Sequence, residues 1–480
     1  MGGRPSHLRS SARTLRGWLR SLVVADAGAH HATLGRMVGP QAASRRSIAV
    51  VGAGYVGLVS AVGFAAMGHA IELVETDPDR LTALRLGKVP FAEGGVQEAL
   101  TAALESGDLT ILERASDTSS EIVLICVGTP IDDRGTADMR AVEAVLAELD
   151  SRELRPVTVV RSTMPVGTSE RLRRDGGIVD VSRFFSVPEF LRQGSALADF
   201  FRPNRVVIGR SSAADRDAED AVVELFQVFD APLRLVTLEE AELIKNGANA
   251  FLALKISFAN EIAGLAERSG ADAGPVLDGI GLDPRIGPAF LHPSFGFGGS
   301  CLPKELQTIA MSGRERGLAM HVTSAAAEAN LVHQRLFAER IDAMVGGVAG
   351  RSVALLGLAF KAGTDDIRSS PAIGLARWLL AHDARLHAFD PAAAGRASRA
   401  VPGLIVHDTA LDALAGAEVA VIATEWPEFK ELDWRRARSL MASPLVIDGR
   451  RLLDPSTMRD LGYAYERVGT PSGEPAASTR

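Results

Sequence analysis

The stretch SIAVVGAGYVGLVSAVGFAAMGH, residues 47–69, contains an apolar β-strand pattern, a glycine-rich turn and a helix of small residues, in that order. Gly52 permits a tight turn, Gly54 allows a pyrophosphate to approach the backbone, and Gly57 allows the helix to pack closely on the strand. The N-terminus of that helix would face the phosphates. This order predicts a dinucleotide-binding unit of the Rossmann type. Its predicted contacts to the dinucleotide are Gly52, Gly54, Tyr55, Val56 and Gly57.

Glu75 ends the next strand pattern, AIELVE, about 20 residues downstream of the glycine turn. A dinucleotide-binding unit carries at that distance the acid that binds the ribose 2′-OH. A carboxylate there disfavours the 2′-phosphate of NADP. The sequence therefore predicts NAD as the cofactor, with Arg80 as a further contact.

Two further apolar strand patterns, EIVLICVGTP and VTVVRSTMPVGT, end in loops of small and hydroxyl-bearing residues. Ligands collect at the carboxyl ends of strands in a doubly wound sheet, so Thr129 and Thr163 are predicted contacts to cofactor or substrate. Each threonine could instead cap the helix that follows it. Glu189 follows Pro188 in a predicted loop after the next strand, either as a site residue or as an ordinary exposed acid.

Residues 238–268 carry apolar residues at helical spacing without an interrupting proline, which predicts one long helix. Lys245 and Asn249 share a face of this helix because they are four residues apart. Their neighbours are small and apolar, so a desolvated lysine beside an asparagine is predicted to hold a developing oxyanion. The alternative is a lysine whose charged end reaches solvent from a packed helix. The long helix is also a natural spine for dimerisation.

Cys301 lies in the glycine-rich stretch FGFGGSCLPKE, residues 295–305. Glycines let the backbone turn sharply and approach a bound molecule, and Lys304 adds positive charge that favours a thiolate. The stretch therefore predicts a nucleophilic cysteine, against the alternative of a small buried hydrophobe in a tight turn. Cys126, inside an apolar strand pattern, is interpreted as a core residue.

A second α/β block begins with RSVALLGLAFKAGTDDIRSSPA, residues 351–372. Its first strand is predicted to end near Phe360, before a polar loop that carries Lys361 and Arg368. The later strand patterns RLHAFD, GLIVHD, EVAVIAT and PLVIDGR favour a second parallel sheet. Because the block has no glycine fingerprint, it is predicted to bind something other than a second dinucleotide, or nothing.

A chain of 480 residues is too long for one core and predicts two or three domains. The predicted class is α/β, with two Rossmann-like doubly wound parallel-sheet domains joined by a long central helix and a helical domain. An arginine-rich extension precedes them; it is interpreted as disordered or a start-site artefact, although a transit peptide or a basic tail also fits. The predicted segments are the extension at 1–44, an NAD-binding domain at 45–237, a central helical and dimerisation domain with the cysteine at 238–340, a C-terminal Rossmann-like domain at 341–469 and a disordered tail at 470–480.

A formal net charge of −7 gives no reason to expect nucleic acid or an anionic membrane surface as a partner. The two cysteines rule out a disulfide framework and fit a reducing cytoplasm. The sequence has no apolar run of the roughly 18 residues that a transmembrane helix needs. No metal site is predicted.

Taken together, the motifs resemble one family, the UDP-glucose/GDP-mannose dehydrogenases. The resemblance extends from about Ser47 to Asp454 and rests on several motifs in the right order. These motifs are GAGYVG, ICVGTP, RSTMPVGT, PEFLRQG, ELIKNGANAFLALKISFANE, FGFGGSC and GLAFKAGTDDIRSSPA. The PEFL and KISFANE segments look most like the UDP-glucose branch.

The resemblance implies a two-step NAD-dependent oxidation of the sugar's primary alcohol to a carboxylate, which would convert UDP-glucose to UDP-glucuronate. In this family the cysteine, here Cys301, traps the aldehyde as a thiohemiacetal, which is oxidised to a thioester and hydrolysed by water. Lys245 and Asn249 match the oxyanion-stabilising pair. Thr163 matches a threonine that positions a water for proton transfer, and Glu189 matches a carboxylate of the hydrolytic step.

Two positions depart from the family pattern. Gln193 stands where the family usually has a second glutamate, and it cannot act as a base. Glu305 stands where an aspartate is usual after the cysteine, and it reaches one methylene further. The catalytic set carried over is therefore Cys301, Lys245, Asn249, Thr163, Glu189 and Glu305, with slower thioester hydrolysis as the expected consequence.

The resemblance also implies contacts to the nucleotide sugar, some of them across a subunit boundary. Arg285, Lys361 and Arg368 match positions that line this site, although each could be an ordinary surface charge; Lys361 is also assigned to the cofactor. The full predicted substrate set is Glu189, Phe190, Leu191, Lys245, Asn249, Arg285, Phe295, Gly298, Lys361 and Arg368.

Several readings stay open from the sequence. UDP-glucose is the favoured substrate, and GDP-mannose or a UDP-N-acetylhexosamine is the alternative. A hydroxyacid dehydrogenase would perform one oxidation without Cys301, and a nucleotide-sugar-binding protein would have lost turnover through Gln193 and Glu305. A homodimer or higher homo-oligomer is expected, because the long helix needs a partner for its second apolar face.

Overall fold

This computed structural model describes residues 44–132, 137–150, 155–178 and 180–471 of the chain. The predictions for the extension and the tail therefore fall almost entirely outside the described residues. The chain divides into two compact units, one up to Asn246 and the other from Gly247. The domain boundaries predicted at 237 and 340 remain predictions.

The described part of the first unit forms one eight-stranded sheet in the order β3-β2-β1-β4-β5-β6-β7-β8. The chain moves outward from β1 to β3 and then returns to β4, so the carboxyl ends of β1 and β4 border the crevice where ligands bind in such sheets. The strands are β1 (Ser47–Val51), β2 (Ala70–Val74), β3 (Leu109–Leu112), β4 (Ile122–Ile125), β5 (Val157–Val160), β6 (Phe184–Ser186), β7 (Val206–Arg210) and β8 (Leu233–Thr237).

Both faces of this sheet are covered. Ile48 and Val50 of β1 belong to one buried cluster, and Ala49 and Val51 belong to another. Successive side chains of a strand point to opposite faces, so an uninterrupted apolar strand is what a doubly covered parallel sheet requires. The predicted α/β class is confirmed.

One pairing departs from the predicted parallel sheet, because β6 and β7 are antiparallel. The segment between them, residues 187–205, contains only one six-residue helix. A parallel return needs a crossover of a dozen or more residues, usually with a helix packed across the sheet. The connection is long enough for such a crossover, but the chain instead turns back, and β8 then pairs parallel to β7.

The helices of the first unit connect these strands. They are α1 (Tyr55–Ala66), α2 (Pro78–Arg85), α3 (Val96–Ser106), α4 (Arg140–Asp150), α5 (Thr168–Arg174), α6 (Ala196–Phe201) and α7 (Arg216–Gln227).

Helix α8 (Leu238–Arg268) is unbroken over 31 residues, as the apolar periodicity predicted. It begins in the first unit and ends in the second. In the second unit its buried stripe consists of small residues, including Ala253, Ala259 and Ala263, which allow neighbouring helices to approach closely. Phe251 and Phe258 lie on the exposed side of the same helix.

The second unit carries further helices before and between its strands. They are α9 (Ala273–Gly281), α10 (Leu302–Arg314), α11 (His321–Val345), α12 (Pro371–Ala381), α13 (Ala394–Ala400), α14 (Ala410–Leu414), α15 (Pro427–Lys430), α16 (Trp434–Leu440) and α17 (Pro455–Asp460). In the described ranges, every helix is too short or too polar to cross a bilayer.

The second sheet, as described, has six strands in the order β11-β10-β9-β12-β13-β14, and all its pairings are parallel. The predicted second parallel sheet is therefore confirmed. Its strands are β9 (Ser352–Leu356), β10 (Arg385–Phe389), β11 (Ile405–Val406), β12 (Val419–Ile422), β13 (Leu445–Asp448) and β14 (Ala464–Arg467).

Strand β9 ends at Leu356, so the prediction that it ends near Phe360 was wrong. Gly357 turns the chain with a φ of 96°, and an added Cβ there would lie 2.4 Å from the Cβ of Thr424. Asp390, at the end of β10, accepts hydrogen bonds from Leu358 N at 2.7 Å and Ala359 N at 3.0 Å. The apolar run continued past the strand because these residues are buried in the turn.

Candidate active site

The glycine turn after β1 has the geometry that a pyrophosphate site requires. Gly52 has a φ of 96°, a conformation that favours glycine. An added Cβ at Gly57 would lie 1.8 Å from the Gly52 oxygen, so only glycine lets α1 pack this closely on the turn. An added Cβ at Gly54 would meet no atom within 4 Å. The backbone of Gly54 therefore borders open space, next to the start of α1.

Glu75 follows β2 and is held rigidly beside the glycine turn. Its carboxylate accepts hydrogen bonds from Ala53 N at 3.1 Å and from Thr76 N at 2.8 Å. Arg80 Nη2 lies 3.5 Å from Glu75 Oε1. A fixed, buried carboxylate at the end of the second strand fits the role of ribose ligand.

Thr129 and Thr163 come together at the carboxyl ends of β4 and β5. Thr129 Oγ1 donates a hydrogen bond to the Thr163 carbonyl oxygen at 2.9 Å. Helix α4 begins only at Arg140, and the residue that precedes α5 is Gly167. The alternative that these threonines cap helices is therefore wrong.

Two polar residues of α8 hold the Thr163 loop, and the sequence analysis missed both. Glu242 accepts hydrogen bonds from Gly167 N at 2.6 Å and Ser169 N at 2.8 Å, and burial raises the pKa of its carboxyl group. Asn246 Nδ2 donates to the Met164 oxygen at 2.8 Å. Their spacing of four residues, among apolar neighbours, was the signal that could have found them.

Lys245 and Glu189 form a buried ion pair in the first unit. Lys245 Nζ donates to Glu189 Oε1 at 3.2 Å and to the Glu189 carbonyl oxygen at 2.7 Å. Leu191 N donates to Glu189 Oε2 at 2.6 Å. The alternatives of a solvent-reaching lysine and of an exposed acid are therefore both wrong, since Lys245 is only 3% exposed and Glu189 is 7% exposed.

The loop that contains Glu189 also surrounds a cavity of about 50 Å³. Phe190 and Leu191 line it, together with the buried Arg161. The guanidinium carbon of Arg205 lies 3.7 Å from the centroid of the Phe190 ring, and Lys245 Nζ lies 5.3 Å from it. Both cations are placed to interact with the face of this ring.

Cys301 is exposed and immediately precedes α10 in the second unit. Its Sγ atom lies 3.7 Å from Ser300 Oγ, and its carbonyl oxygen accepts a hydrogen bond from Glu305 N at 2.8 Å. The alternative of a buried small hydrophobe is therefore wrong. The first turn of a helix favours negative charge, which on this residue is the nucleophilic thiolate.

The glycine loop before Cys301 packs against the loop that follows β9. An added Cβ at Gly298 would lie 2.1 Å from the Ser369 oxygen, and Gly299 N donates to the Arg368 oxygen at 3.0 Å. Arg368 Nε donates to Asp366 at 2.9 Å, and this contact, with a smaller contribution from the charge of Cys301, raises the pKa of Arg368. The loop thus places a permanent cation near the thiol.

Asn249 and Glu305 are brought together in the second unit. Asn249 Nδ2 donates to Glu305 Oε2 at 2.7 Å, and Glu305 is buried. An amide nitrogen carries two hydrogens, so Asn249 can hold Glu305 and still donate to an oxyanion.

Family models match nearly all of the described chain. Residues 46–230 match the NAD-binding domain of the UDP-glucose/GDP-mannose dehydrogenase family, residues 239–331 match its central domain, and residues 354–455 match its UDP-binding domain. The chain belongs to the UDP-glucose/GDP-mannose dehydrogenase family. The resemblance stated from the motifs is thereby confirmed, and so is NAD as the cofactor. The alternative of a hydroxyacid dehydrogenase is ruled out.

Relatives within this family match over most of their length. A UDP-glucose 6-dehydrogenase from Pseudomonas aeruginosa is 40% identical and is matched over 97% of its length and 88% of this chain. A second from Rhizobium meliloti is 38% identical, with 99% of its length and 88% of this chain covered.

Solved structures show the same fold. A UDP-glucose dehydrogenase from Pyrobaculum islandicum superposes with a TM-score of 0.81 at 36% identity, over 92% of this chain and 100% of that one. A UDP-D-ManNAc dehydrogenase from Pyrococcus horikoshii gives a TM-score of 0.77 at 25% identity, over 89% of this chain and 100% of that one. The family assignment makes this chain an enzyme, an NAD-dependent nucleotide-sugar dehydrogenase.

The remaining predicted contacts of this dehydrogenase differ in how exposed their side chains are. Arg285 is 88% exposed in its side chain and pairs with Asp283 at 2.6 Å. Lys361 is half-buried, and its Nζ lies 5.9 Å from the ring centroid of Phe360. The Phe295 side chain is buried in the core, so a substrate contact there would have to come from its backbone.

Arg450 is a further residue of the second unit that the sequence analysis missed. Its guanidinium donates to the oxygens of Ala423 at 2.8 Å, Gly296 at 3.2 Å and Phe360 at 3.3 Å. It thus joins the cysteine loop to the ends of β9 and β12. The three backbone oxygens that it contacts are far from Arg450 in sequence, so no local sequence pattern could have indicated this role.

Proposed function

We propose that this enzyme oxidises the C6 primary alcohol of UDP-glucose to the carboxylate of UDP-glucuronate. The observation that carries the proposal is Cys301, which is exposed in a glycine loop at the start of α10 in a member of this family. A cysteine placed this way can capture the aldehyde covalently, which allows a second oxidation to the carboxylic acid. The 40% and 38% identical relatives support UDP-glucose as the sugar.

NAD, when bound, accepts the hydride in each of the two oxidations. Between them, the Cys301 thiolate attacks the aldehyde carbon, and the oxyanion that forms takes up a proton to give a thiohemiacetal. Loss of a hydride and a proton from the thiohemiacetal leaves a thioester on Cys301. Water then attacks the thioester carbonyl, the sulfur leaves as thiolate, and the sugar carboxylate is released.

The buried polar side chains supply charge and hydrogen-bond donors for these steps. Asn249 carries an amide hydrogen beyond the one that it donates to Glu305, and we assign this hydrogen to the oxyanion. We assign Lys245 the same role as a cation and Glu189 the activation of the hydrolytic water. Thr163 positions the water that carries the alcohol proton away.

Thioester hydrolysis is the step that we expect to be slow. Gln193 cannot act as a base, and Glu305 reaches one methylene further than the aspartate usual at its position. The acyl-enzyme is therefore expected to accumulate on Cys301. Intact-protein mass spectrometry during turnover would show the adduct, and a spectrum with free Cys301 alone would contradict slow hydrolysis.

We also propose that the exposed apolar stripe of α8 is covered by a second copy of this chain. Phe251, Phe258 and Leu265 are exposed and recur every seven residues, which places them along one side of the helix. Phe258→Asp is expected to convert an oligomer to monomer in light scattering after size exclusion. Glu98→Gln, at an exposed position of α3, is the control. A wild-type monomer would overturn this proposal.

The first experiment is the yield of NADH per nucleotide sugar consumed, with limiting UDP-glucose, GDP-mannose or UDP-N-acetylglucosamine. Two NADH per UDP-glucose are expected, and Cys301→Ala should abolish the second. Faster turnover of another sugar would overturn the assignment of UDP-glucose. No NADH with any sugar would favour the nucleotide-sugar-binding protein. Because the reaction needs Cys301 reduced, we place the enzyme in the cytoplasm.

A further inference from the structure

Glu93 connects two functional loops of the first unit. Its carboxylate accepts hydrogen bonds from Tyr55 Oη at 2.7 Å, from Gly194 N at 2.6 Å and from Ala196 N at 2.9 Å. Tyr55 is the first residue of α1 and directly follows Gly54. Gly194 and Ala196 belong to the segment that begins with Glu189 and leads into α6. Tyr55 Oη also donates to the Arg192 carbonyl oxygen at 3.2 Å, so Glu93 and Tyr55 together hold the cofactor loop and the predicted substrate loop.

The hydrogen bonds require Tyr55 to donate and Glu93 to accept. The Tyr55 phenol is half-buried, and its pKa is raised by burial and by the negative charge of Glu93, so it stays protonated and donates. Two backbone amides and a phenol are all donors, which requires Glu93 to accept through both carboxylate oxygens. Tyr55 also packs on Phe91, with ring centroids 5.3 Å apart. The neutral amide of a glutamine could not reproduce this arrangement, because its nitrogen donates.

We propose that Glu93 is a positioning residue that couples the NAD loop to the loop of residues 189–196. A dinucleotide that settles against Gly54 fixes Tyr55, Tyr55 fixes the Glu93 carboxylate, and the carboxylate fixes the turn at Gly194 and Ala196. NAD binding therefore orders the loop that carries Glu189 and Leu191. This inference rests on the proposed function in one respect, the assignment of residues 189–191 to the sugar.

Hydrogen exchange tests the coupling without any sugar. Saturating NAD is expected to slow exchange at the amides of Gly194 and Ala196 by about fivefold or more in the wild-type enzyme. Glu93→Gln should abolish this effect and speed exchange even without NAD. Tyr55→Phe keeps the two hydrogen bonds from backbone amides to Glu93 and removes those of the phenol to Glu93 and to the Arg192 oxygen, so it should abolish only the effect of NAD. Glu113→Gln, which alters an exposed ion pair with Arg85, is the control and should behave as wild type.

Steady-state kinetics provide the second measurement. Glu93→Gln is expected to raise KM for the nucleotide sugar about tenfold while changing kcat less than threefold, a coupling within the usual range. A variant in which kcat and the melting temperature fall while both KM values rise would show a merely structural role and overturn the proposal. Unchanged protection by NAD in Tyr55→Phe would also overturn it. If the enzyme does not oxidise UDP-glucose, the proposed function fails, but the hydrogen-exchange measurement still tests the coupling because it uses no sugar.

Discussion

At the residue scale, the two cysteines differ in accessibility and charge. Cys126 is buried, and burial raises the pKa of its thiol to about 12 against the opposing influence of Arg161. Cys301 is exposed, at the start of a helix and near Arg368. Only the second thiol has the access and the cationic surroundings that a nucleophile requires.

Iodoacetamide at neutral pH is therefore expected to modify Cys301 and leave Cys126 unmodified. Peptide mass spectrometry after brief labelling measures both sites. Loss of NADH formation should track the labelling of Cys301. Labelling in denaturant, where both peptides should react, is the control, and early modification of Cys126 in the native enzyme would contradict its burial.

For the buried pair of Lys245 and Glu189, removing one charge is expected to destabilise the enzyme more than removing both. Lys245→Ala leaves the Glu189 carboxylate buried without its cation, so the free energy of unfolding should drop by about 3 kcal/mol. Urea denaturation measures the loss. The double variant Lys245→Met with Glu189→Gln removes both charges and should lose less. A larger loss in the double variant would mean that the pair is not the cause.

At the element scale, the two glycines of the first βα turn have different roles: one is needed for folding and the other for cofactor binding. Gly57 allows α1 to pack on the turn, whereas Gly54 borders open space and has a φ of −71°, which any residue can adopt. The two glycines lie three residues apart in one motif. Their structural settings nonetheless predict different consequences of the same substitution.

Gly57→Ala is expected to destabilise the enzyme strongly, because its Cβ would overlap the Gly52 oxygen. Gly54→Ala should keep the wild-type melting temperature and weaken NAD binding at least tenfold, because the added methyl group enters the space of the pyrophosphate. Thermal melts and calorimetric titration with NAD measure the two effects. Normal NAD affinity in Gly54→Ala would show that the pyrophosphate does not lie over this turn.

At the scale of the whole molecule, the patterns that are continuous in sequence were predictable. The glycine turn, the strands quoted from the sequence and the unbroken α8 depend on local periodicity and on residues within one motif. Strands β3, β7, β8 and β14 were not among the predictions. Glu93, Glu242 and Arg450 escaped prediction because each acts on backbone groups far away in sequence. The antiparallel pairing of β6 and β7 escaped prediction because strand direction depends on the path of a loop and not on strand composition.

An ion-pair cluster between residues far apart in sequence predicts that the stability of the fold depends on pH. Asp272, just before α9, pairs with Arg451 at 2.7 Å and Arg467 at 2.6 Å. Burial acts to raise the pKa of Asp272, but hydrogen bonds from Gly274 N and Arg451 outweigh it and lower the pKa below its usual 3.8. A lowered pKa in the folded state contributes stability that is present at neutral pH and lost as the pH falls.

Asp272→Asn is accordingly expected to lower the melting temperature at pH 7. The difference from the wild type should shrink below about pH 4, where the wild-type carboxylate begins to bind a proton in the unfolded chain. Thermal melts at pH 7 and pH 3 measure it. Asp278→Asn, at an exposed position of α9, is the control. An equal difference at both values of pH would contradict the ion pair as the cause.

The turn after β9 has a bearing on the ancestry of the chain. Gly357 and Gly52 both follow the first strand of the sheet in their own unit, and both have a φ of 96°. Asp390 and Glu75 both directly follow the next strand and accept hydrogen bonds from the turn. These shared details favour descent of both units from one duplicated ancestor. Gly357 then keeps the turn geometry of the first unit, in a second unit where the loop after β9 packs against the cysteine loop.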